Sequence, residues 1–348
     1  MIEEEIVVGE DNDAYFAQED ELLPPVILPE MNFIRFPFFA LHRRSLRKHN
    51  QKMTYEFTDV REGERVKCRL SVIPSTEYGR PTAFDRRVAR AVDVVIDESY
   101  LRNGYHLENP IQFSIYHLSV LMGQRFKRSG WLYKEIKRTI ERIVATTIKV
   151  EKSFYLKDKK QWVGGIFHLY DKYVFKGEER HDTGEIAETN CVWLSDEYIR
   201  NVNARYVRPL DYTFLVRLKN DLASRLYEIL SSKFYGLKKG TDYYHIDYLS
   251  LCNVLPIAPQ KFFSNAQQNL KPAHDELAFW GYLSKVVYVL HEGKKSIKTV
   301  RYYPGERAKR EMRGEFGERT RTVLVEELPL PRADGANTHL SGLAQELY

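Results

Sequence analysis

The chain of 348 residues predicts an α+β fold made of two successive modules. Three observations carry that expectation. A basic amphipathic helix within residues 125–144 runs straight into a long β-hairpin, 148–175. The same order of helix, short strand, helix, helix and hairpin recurs between residues 209 and 304. Residues 1–30 hold ten Asp or Glu and no Lys or Arg, so the remainder carries 53 basic against 38 acidic side chains, a net charge of +15. Helix, strand, helix, helix, hairpin is the winged-helix order, in which one helix enters the DNA major groove while the hairpin touches the backbone. The expected architecture is two tandem winged-helix domains, 33–178 and 209–304. A loop and bridge, 179–208, joins them. A disordered acidic tail (1–32) precedes them and a disordered tail (305–348) follows, basic in its first part.

The acidic N-terminal stretch ends in a Pro-rich spacer, Leu22-Leu23-Pro24-Pro25-Val26-Ile27-Leu28-Pro29, which reads as tail rather than core. The tail either competes with DNA for the basic face or only solubilises the chain. Residues 52–60 and 65–73 read as two strands, the second alternating strictly at Val66, Cys68, Leu70 and Val72. Thr82 is placed to cap the next helix, with Asp85 at its third position. Phe84, Val88, Ala91, Val92 and Val95 make that helix's apolar stripe. Asn103-Gly104 ends it, 111–113 is a short strand, and Ser114 caps a second helix through Met122.

The basic helix carries Leu132, Ile136, Ile140 and Ile143/Val144 on one side and Lys134, Lys137, Arg138 and Glu141 on the other. In the hairpin, Ile148, Val150, Phe154 and Leu156 share a face. Lys157-Asp158-Lys159-Lys160 turns, and Gly164-Gly165 marks a bulge in the return to Phe175. A polar loop, 176–188, precedes a strand at 190–194, and Ser195 caps a short helix at 196–203.

In the second module Asp211 caps one long helix with Phe214, Leu218, Leu222, Leu226, Ile229, Leu230 and Phe234 on its stripe, ended by Gly236 and Gly240. Residues 243–246 form a strand, and Asp247 caps a helix whose Leu249-Ser250-Leu251-Cys252 echoes Leu118-Ser119-Val120-Leu121. The second candidate recognition helix spans about 260–280, with Pro272 kinking it or marking a change of direction. Strands 284–291 and 298–303 then pair around a Lys-rich turn.

Several function classes are excluded. No apolar run approaches the length of a membrane span, and the acidic start is unlike a secretory signal. Cys68, Cys191 and Cys252 are far apart and read as small buried apolar residues in a reducing cytoplasm, with no zinc or disulfide pattern. No phosphate-binding loop, metalloprotease helix, nucleophile elbow or His-x-His of a rolling-circle initiator occurs. His117 and His168 read as structural. The expectation is no enzyme, no cofactor and no metal.

The residues expected on DNA fall in two sets. Arg125, Lys127, Arg128, Lys134, Lys137 and Arg138 in the first module suit phosphate neutralisation. Gln260, Lys261, Ser264, Asn265, Gln267, Gln268 and Lys271 in the second suit base reading, since amides pair bidentately with adenine edges. Lys294 and Lys295 tip the second hairpin.

Gly79-Arg80-Pro81-Thr82-Ala83-Phe84-Asp85 and the helix after it resemble the start of the core in plasmid replication initiators of the replication-initiator-protein-A type. Leu222-Ala223-Ser224-Arg225-Leu226-Tyr227-Glu228-Ile229-Leu230 resembles the helix that opens their second half. Arg80 stands where an apolar residue is expected. The resemblance covers 35–305 in element order. It implies a cytoplasmic, plasmid-associated initiator that binds repeated double-stranded sites (iterons) at an origin. Such a protein opens the duplex and recruits the host initiator and the replicative helicase. It implies self-association through the first domain as well. Glu327-Leu328-Pro329-Leu330-Pro331 is similar to peptides that dock on the bacterial sliding clamp, with Glu where Gln is expected. The alternatives are a tandem winged-helix transcriptional regulator and a protein-interaction scaffold.

Overall fold

The computed structural model describes residues 2–4, 24, 26–41, 52–61, 64–123, 130–180, 183–237, 240–292 and 296–316. In chain order the elements begin with β1 (Ile2–Glu4), β2 (Val26–Ile27), α1 (Met31–Arg35), β3 (Met53–Arg61), β4 (Glu64–Ile73) and α2 (Ala83–Arg102). They continue with β5 (Ile111–Phe113), α3 (Ile115–Leu121), α4 (Gly130–Val144), β6 (Thr147–Leu156), β7 (Gln161–His168) and β8 (Tyr170–Val174). Next come β9 (Asn190–Leu194), α5 (Asp196–Asn203), β10 (Leu210–Asp211), α6 (Tyr212–Arg217), α7 (Asp221–Tyr235) and β11 (Tyr244–Asp247). The last are α8 (Tyr248–Val254), α9 (Phe263–Phe279), β12 (Leu283–Leu290), β13 (Ile297–Pro304) and α10 (Glu306–Met312). Two compact units result: Ile27–Glu56 with Cys68–Pro209, and Met1–Val26 with Phe57–Lys67 and Leu210–Tyr348.

In the unit ending at Pro209, α2 starts as expected. Thr82 Oγ1 accepts from Asp85 N–H at 3.4 Å and Thr82 N–H donates to the Asp85 carboxylate at 2.5 Å, a complete capping box. Asp85 also reaches across to α4. Its Oδ1 accepts from Thr139 Oγ1 at 2.5 Å and forms an ion pair with Arg142. The Arg142 guanidinium in turn donates to the Tyr78 carbonyl at 3.0 Å and meets Glu135 at 3.4 Å. Burial pushes the Asp85 carboxyl above the usual carboxylate range, and Arg142 and the Thr139 bond oppose that rise. Below this knot Leu132, Ile136, Ile140 and Ile143 of α4 are all buried, each contributing about 1.5–3 kcal/mol of apolar burial.

Two antiparallel sheets complete the unit, ordered β3-β4-β6-β7 and β5-β9-β8. The hairpin after α4 therefore departs from expectation. Its strands end at Leu156 and His168, and β6 pairs with β4 in the register Leu70↔Val150 and Val72↔Ile148, not with β5. Strand β8 is separate and pairs with β9, which lies between β8 and β5. Residues 179–208, expected as loop and bridge, thus supply the middle strand of this second sheet. Alternation marked Cys68, Leu70 and Val72 as inward-facing but could not say which strand would pair with them. The bulge also moves. The register slips on β6 between Val150 and Phe154, where Lys152 takes φ +55°, and Gly164 lies opposite. A Cβ on Gly164 would stand 3.3 Å from the Val150 carbonyl oxygen, so the glycine accommodates the bulge and does not form it.

The expected N-terminal tail is also shorter than residues 1–32. Glu30 caps α1 by accepting from Phe33 N–H at 3.0 Å, and Phe33 and Ile34 are buried. Asn32 and Asn201 clamp the β6 backbone at Tyr155. Burial pushes Glu30 up to about 8 against the bonds from Phe33, Asn201 and Asn32. Arg80, expected to be out of place, is buried and donates to Tyr55 Oη at 2.9 Å and to the Pro37 carbonyl at 3.4 Å.

In the other unit the order is α7, β11, α8, α9, β12, β13, with the sheet ordered β1-β12-β13-β11. Residues 2–4, expected in the tail, form the edge strand β1 antiparallel to β12. The single helix expected from Asp211 is broken in two. Asp211 caps α6 through Phe214 N–H at 2.9 Å, the chain breaks at Leu218, and Asn220 caps α7. Glu276 of α9 accepts from the Lys219 and Asn220 amides at 2.7 and 2.9 Å, satisfying the broken backbone. The C-terminal tail starts later than expected, because α10 packs with Ala308 and Glu311 buried. The sliding-clamp-like peptide at 327–331 lies outside the described residues.

Replacing Arg142 with Met leaves the Asp85 carboxylate buried without its counter-charge. Denaturant unfolding is expected to show a loss of about 3–5 kcal/mol. A loss under about 1 kcal/mol would show that Thr139 and Thr82 suffice.

Candidate nucleic-acid interface

The described residues expected on DNA lie on or beside two helices, α4 and α9, one in each unit. Helix α4 is held by its buried stripe and by Arg142, so residues 131, 134 and 138 point outward at helical spacing. Lys134 and Arg138 are exposed there. Lys137 is half-buried, with its Nζ 4.6 Å from the centre of the Phe175 ring, so its stem and charge cover an aromatic. Toward its C-terminus α4 turns acidic. Burial, with Glu178 and Glu77 nearby, pushes the half-buried Glu141 above the usual carboxylate range, while Arg138 and Lys137 oppose it. The cationic face is therefore the N-terminal half of α4. Arg125, Lys127 and Arg128 lie outside the described residues.

Helix α9 buries Ala266, Leu270, Ala273, His274 and Leu277 and packs against α7 and β12, with His274 reaching Tyr302 of β13. Ser264, Asn265, Gln268 and Lys271 are exposed and Gln267 is half-buried. Lys271 is paired with Asp275 at 2.9 Å, which lowers its value as a phosphate contact. The helix starts at Phe263, so Gln260 and Lys261 lie in the turn before it. The Gln260 amide nitrogen donates to the Ala258 carbonyl at 3.2 Å, and its backbone N–H donates to Tyr248 Oη. Lys294 and Lys295 lie outside the described residues. No side chain caps α9 and no acid occupies its first turn, so its leading N–H groups suit a phosphate oxygen. The helix continues through Pro272, which is exposed at position ten of its seventeen residues.

The sequence reading missed two exposed groups. Asn269 follows Asn265 by one turn, so its place was legible from spacing. Trp131 sits beside Leu132 and off the apolar stripe, a position that already signals an outward ring. Among the described residues no group of three or more His, Cys, Asp or Glu is placed to hold a metal ion, and no helix is long and apolar enough to cross a membrane. All three cysteines are buried, as expected.

Beneath α9, His274 Nδ1 meets Tyr288 Oη at 2.9 Å and Nε2 meets Tyr302 Oη at 3.3 Å. Burial holds the imidazole neutral and pushes its pKa down to about 3, helped by the Lys271 charge.

A family model described as replication initiator protein A matches residues 29–271. Among solved structures, selenomethionine derivatives of domains 2 and 3 of RctB match 79% of this chain and 98% of theirs, at 16% identity and a TM-score of 0.50. A second structure of RctB domains 2–3 matches 78% of this chain and 96% of its own, at 15% identity and a TM-score of 0.45. The first likeness is one of fold. No curated protein matches the chain.

Unfolded His274 gains a proton near pH 6.5 while the folded one does not until about 3, so acid favours unfolding in that window. Stability present above pH 6.5 is expected to fall by about 2–3 kcal/mol by pH 4.5 on account of this group. Urea titrations of the wild type and His274→Gln check it: the variant's loss between pH 7 and 4.5 is expected to be smaller by that amount.

Proposed function

The chain belongs to the replication initiator protein A family, and on that premise we propose that it binds repeated double-stranded sites at a plasmid origin through two winged-helix modules. The module reading is supported by repetition of sheet order as well as element order. Strands β5-β9-β8 in one unit correspond to β11-β13-β12 in the other: each short first strand pairs with the last strand of the hairpin. On this reading the first wing is the β8–β9 hairpin, and β6–β7 is an insertion between the recognition helix and its wing.

The observation that carries the proposal is the face of α9. Ser264, Asn265, Gln268 and Asn269 are exposed on a helix with an uncapped N-terminus, directly before a hairpin. Amide side chains read adenine edges, and the helix end receives a backbone phosphate. Helix α4, with Lys134 and Arg138, holds phosphates and carries little sequence information. The protein works without catalysing a reaction, in the cytoplasm, by opening the duplex and assembling the host initiator, helicase and clamp. A dimer forms through the first unit.

Footprinting on DNA flanking the protein's own gene tests the proposal. Several direct repeats protected in phase are expected, whereas one protected palindrome would favour a transcriptional regulator. Gln268→Ala is expected to reduce discrimination between cognate and altered sites by about 1–3 kcal/mol. Lys134→Ala is expected to weaken all duplexes alike and lower the salt-dependence exponent by about 0.9. Equal loss of cognate and random DNA in both variants would overturn the division of labour.

A further inference from the structure

Trp131 stands in the first turn of α4 with 67% of its surface exposed, more than any other large apolar side chain among the described residues. The Phe84 ring supports it from one side, 6.4 Å away and tilted by 56°. Lys134 and Arg138 follow at three and seven residues, both exposed, and among the described residues neither makes an ion pair. Glu135, the one acid between them, is half-buried and drawn to Arg142 at 3.4 Å. Beyond Arg138 the surface is acidic at Glu141 and Glu178. An exposed indole and two cations thus lie within about two turns of one helix, about 10 Å along its axis.

We propose that Trp131, Lys134 and Arg138 form a platform for single-stranded DNA, the indole stacking on an unpaired base while the two cations hold the adjoining phosphates. In a duplex each base is already covered above and below, so an indole reaches only base edges and methyl groups. An unpaired base offers its whole face, and such stacking is worth about 1–3 kcal/mol per base whatever the sequence. The inference rests on the nucleic-acid reading of this chain and adds the form of strand that α4 receives once a duplex has opened.

The test uses the full chain with a roughly 12-nucleotide oligothymidylate and, separately, a duplex of footprinted sites. Binding is read by anisotropy of labelled DNA and by tryptophan emission. Oligothymidylate is expected to quench wild-type emission. Trp131→Ala should lose that part of the quench and bind oligothymidylate about 5- to 150-fold more weakly, while Trp131→Phe recovers most of the affinity. Both variants should bind duplex within about twofold of wild type, since the exposed ring adds little to folding or duplex contact. Unchanged oligothymidylate affinity in Trp131→Ala would overturn the inference, as would equal loss on both kinds of DNA. A wild-type chain that binds oligothymidylate in this way but no duplex would overturn the duplex reading and leave the platform standing.

Discussion

The buried contact between Asp85 and Arg142 fixes the geometry of the first unit. Asp85 completes the capping box of α2 and also receives Thr139 and Arg142 from α4. One carboxylate thus joins the start of one helix to the flank of another. Taking both charges out of water is costly, and the pairing repays that cost only while every partner is in place. The bond from Arg142 to the Tyr78 carbonyl extends the constraint into the segment that leads to α2. Rotation of α4 about its own axis would break all of these contacts together. The outward direction of Trp131, Lys134 and Arg138 is therefore set from the buried side of the helix.

The second unit reaches a comparable result with different chemistry. Helix α9 is seated by a neutral histidine between two tyrosines and by Glu276, which closes the break between α6 and α7. Tyr227 adds a further link, donating toward Glu311 of α10 and accepting from the Asp211 amide. Polar groups buried in this way need all of their partners, so they specify one arrangement of helices where apolar packing alone would tolerate several. What the two units share is an order of elements and of strands, not a set of residues.

Much of the candidate interface was legible from spacing. The stripe Leu132, Ile136, Ile140, Ile143 fixes which side of α4 is inward, and Lys134 and Arg138 follow as outward positions. Ala266, Leu270, Ala273 and Leu277 do the same for α9, giving Ser264, Asn265 and Gln268. The helical period says nothing about neighbours from other elements. Lys137 therefore read as a free cation although it lies over Phe175, Lys271 although it meets Asp275, and Gln260 as helical although it bonds within the preceding turn.

The same division holds for the fold. Local chemistry in the sequence determined α2, α3, α4, α5, α8 and α9, the limits of strands such as β4 and β9, the caps at Thr82, Ser114 and Asp247 and the burial of the three cysteines. Period, capping and turn preferences act within a few residues of chain. Tertiary structure alone decided that β6–β7 would join β4, that β9 would take the middle of the other sheet, that Glu30 and Arg80 would be buried, and that residues 2–4 would complete an edge of the sheet at β12. Each of those depends on pairing across tens to hundreds of residues. Alternation marks a strand's inward face but leaves its hydrogen-bonding edges identical toward every candidate neighbour.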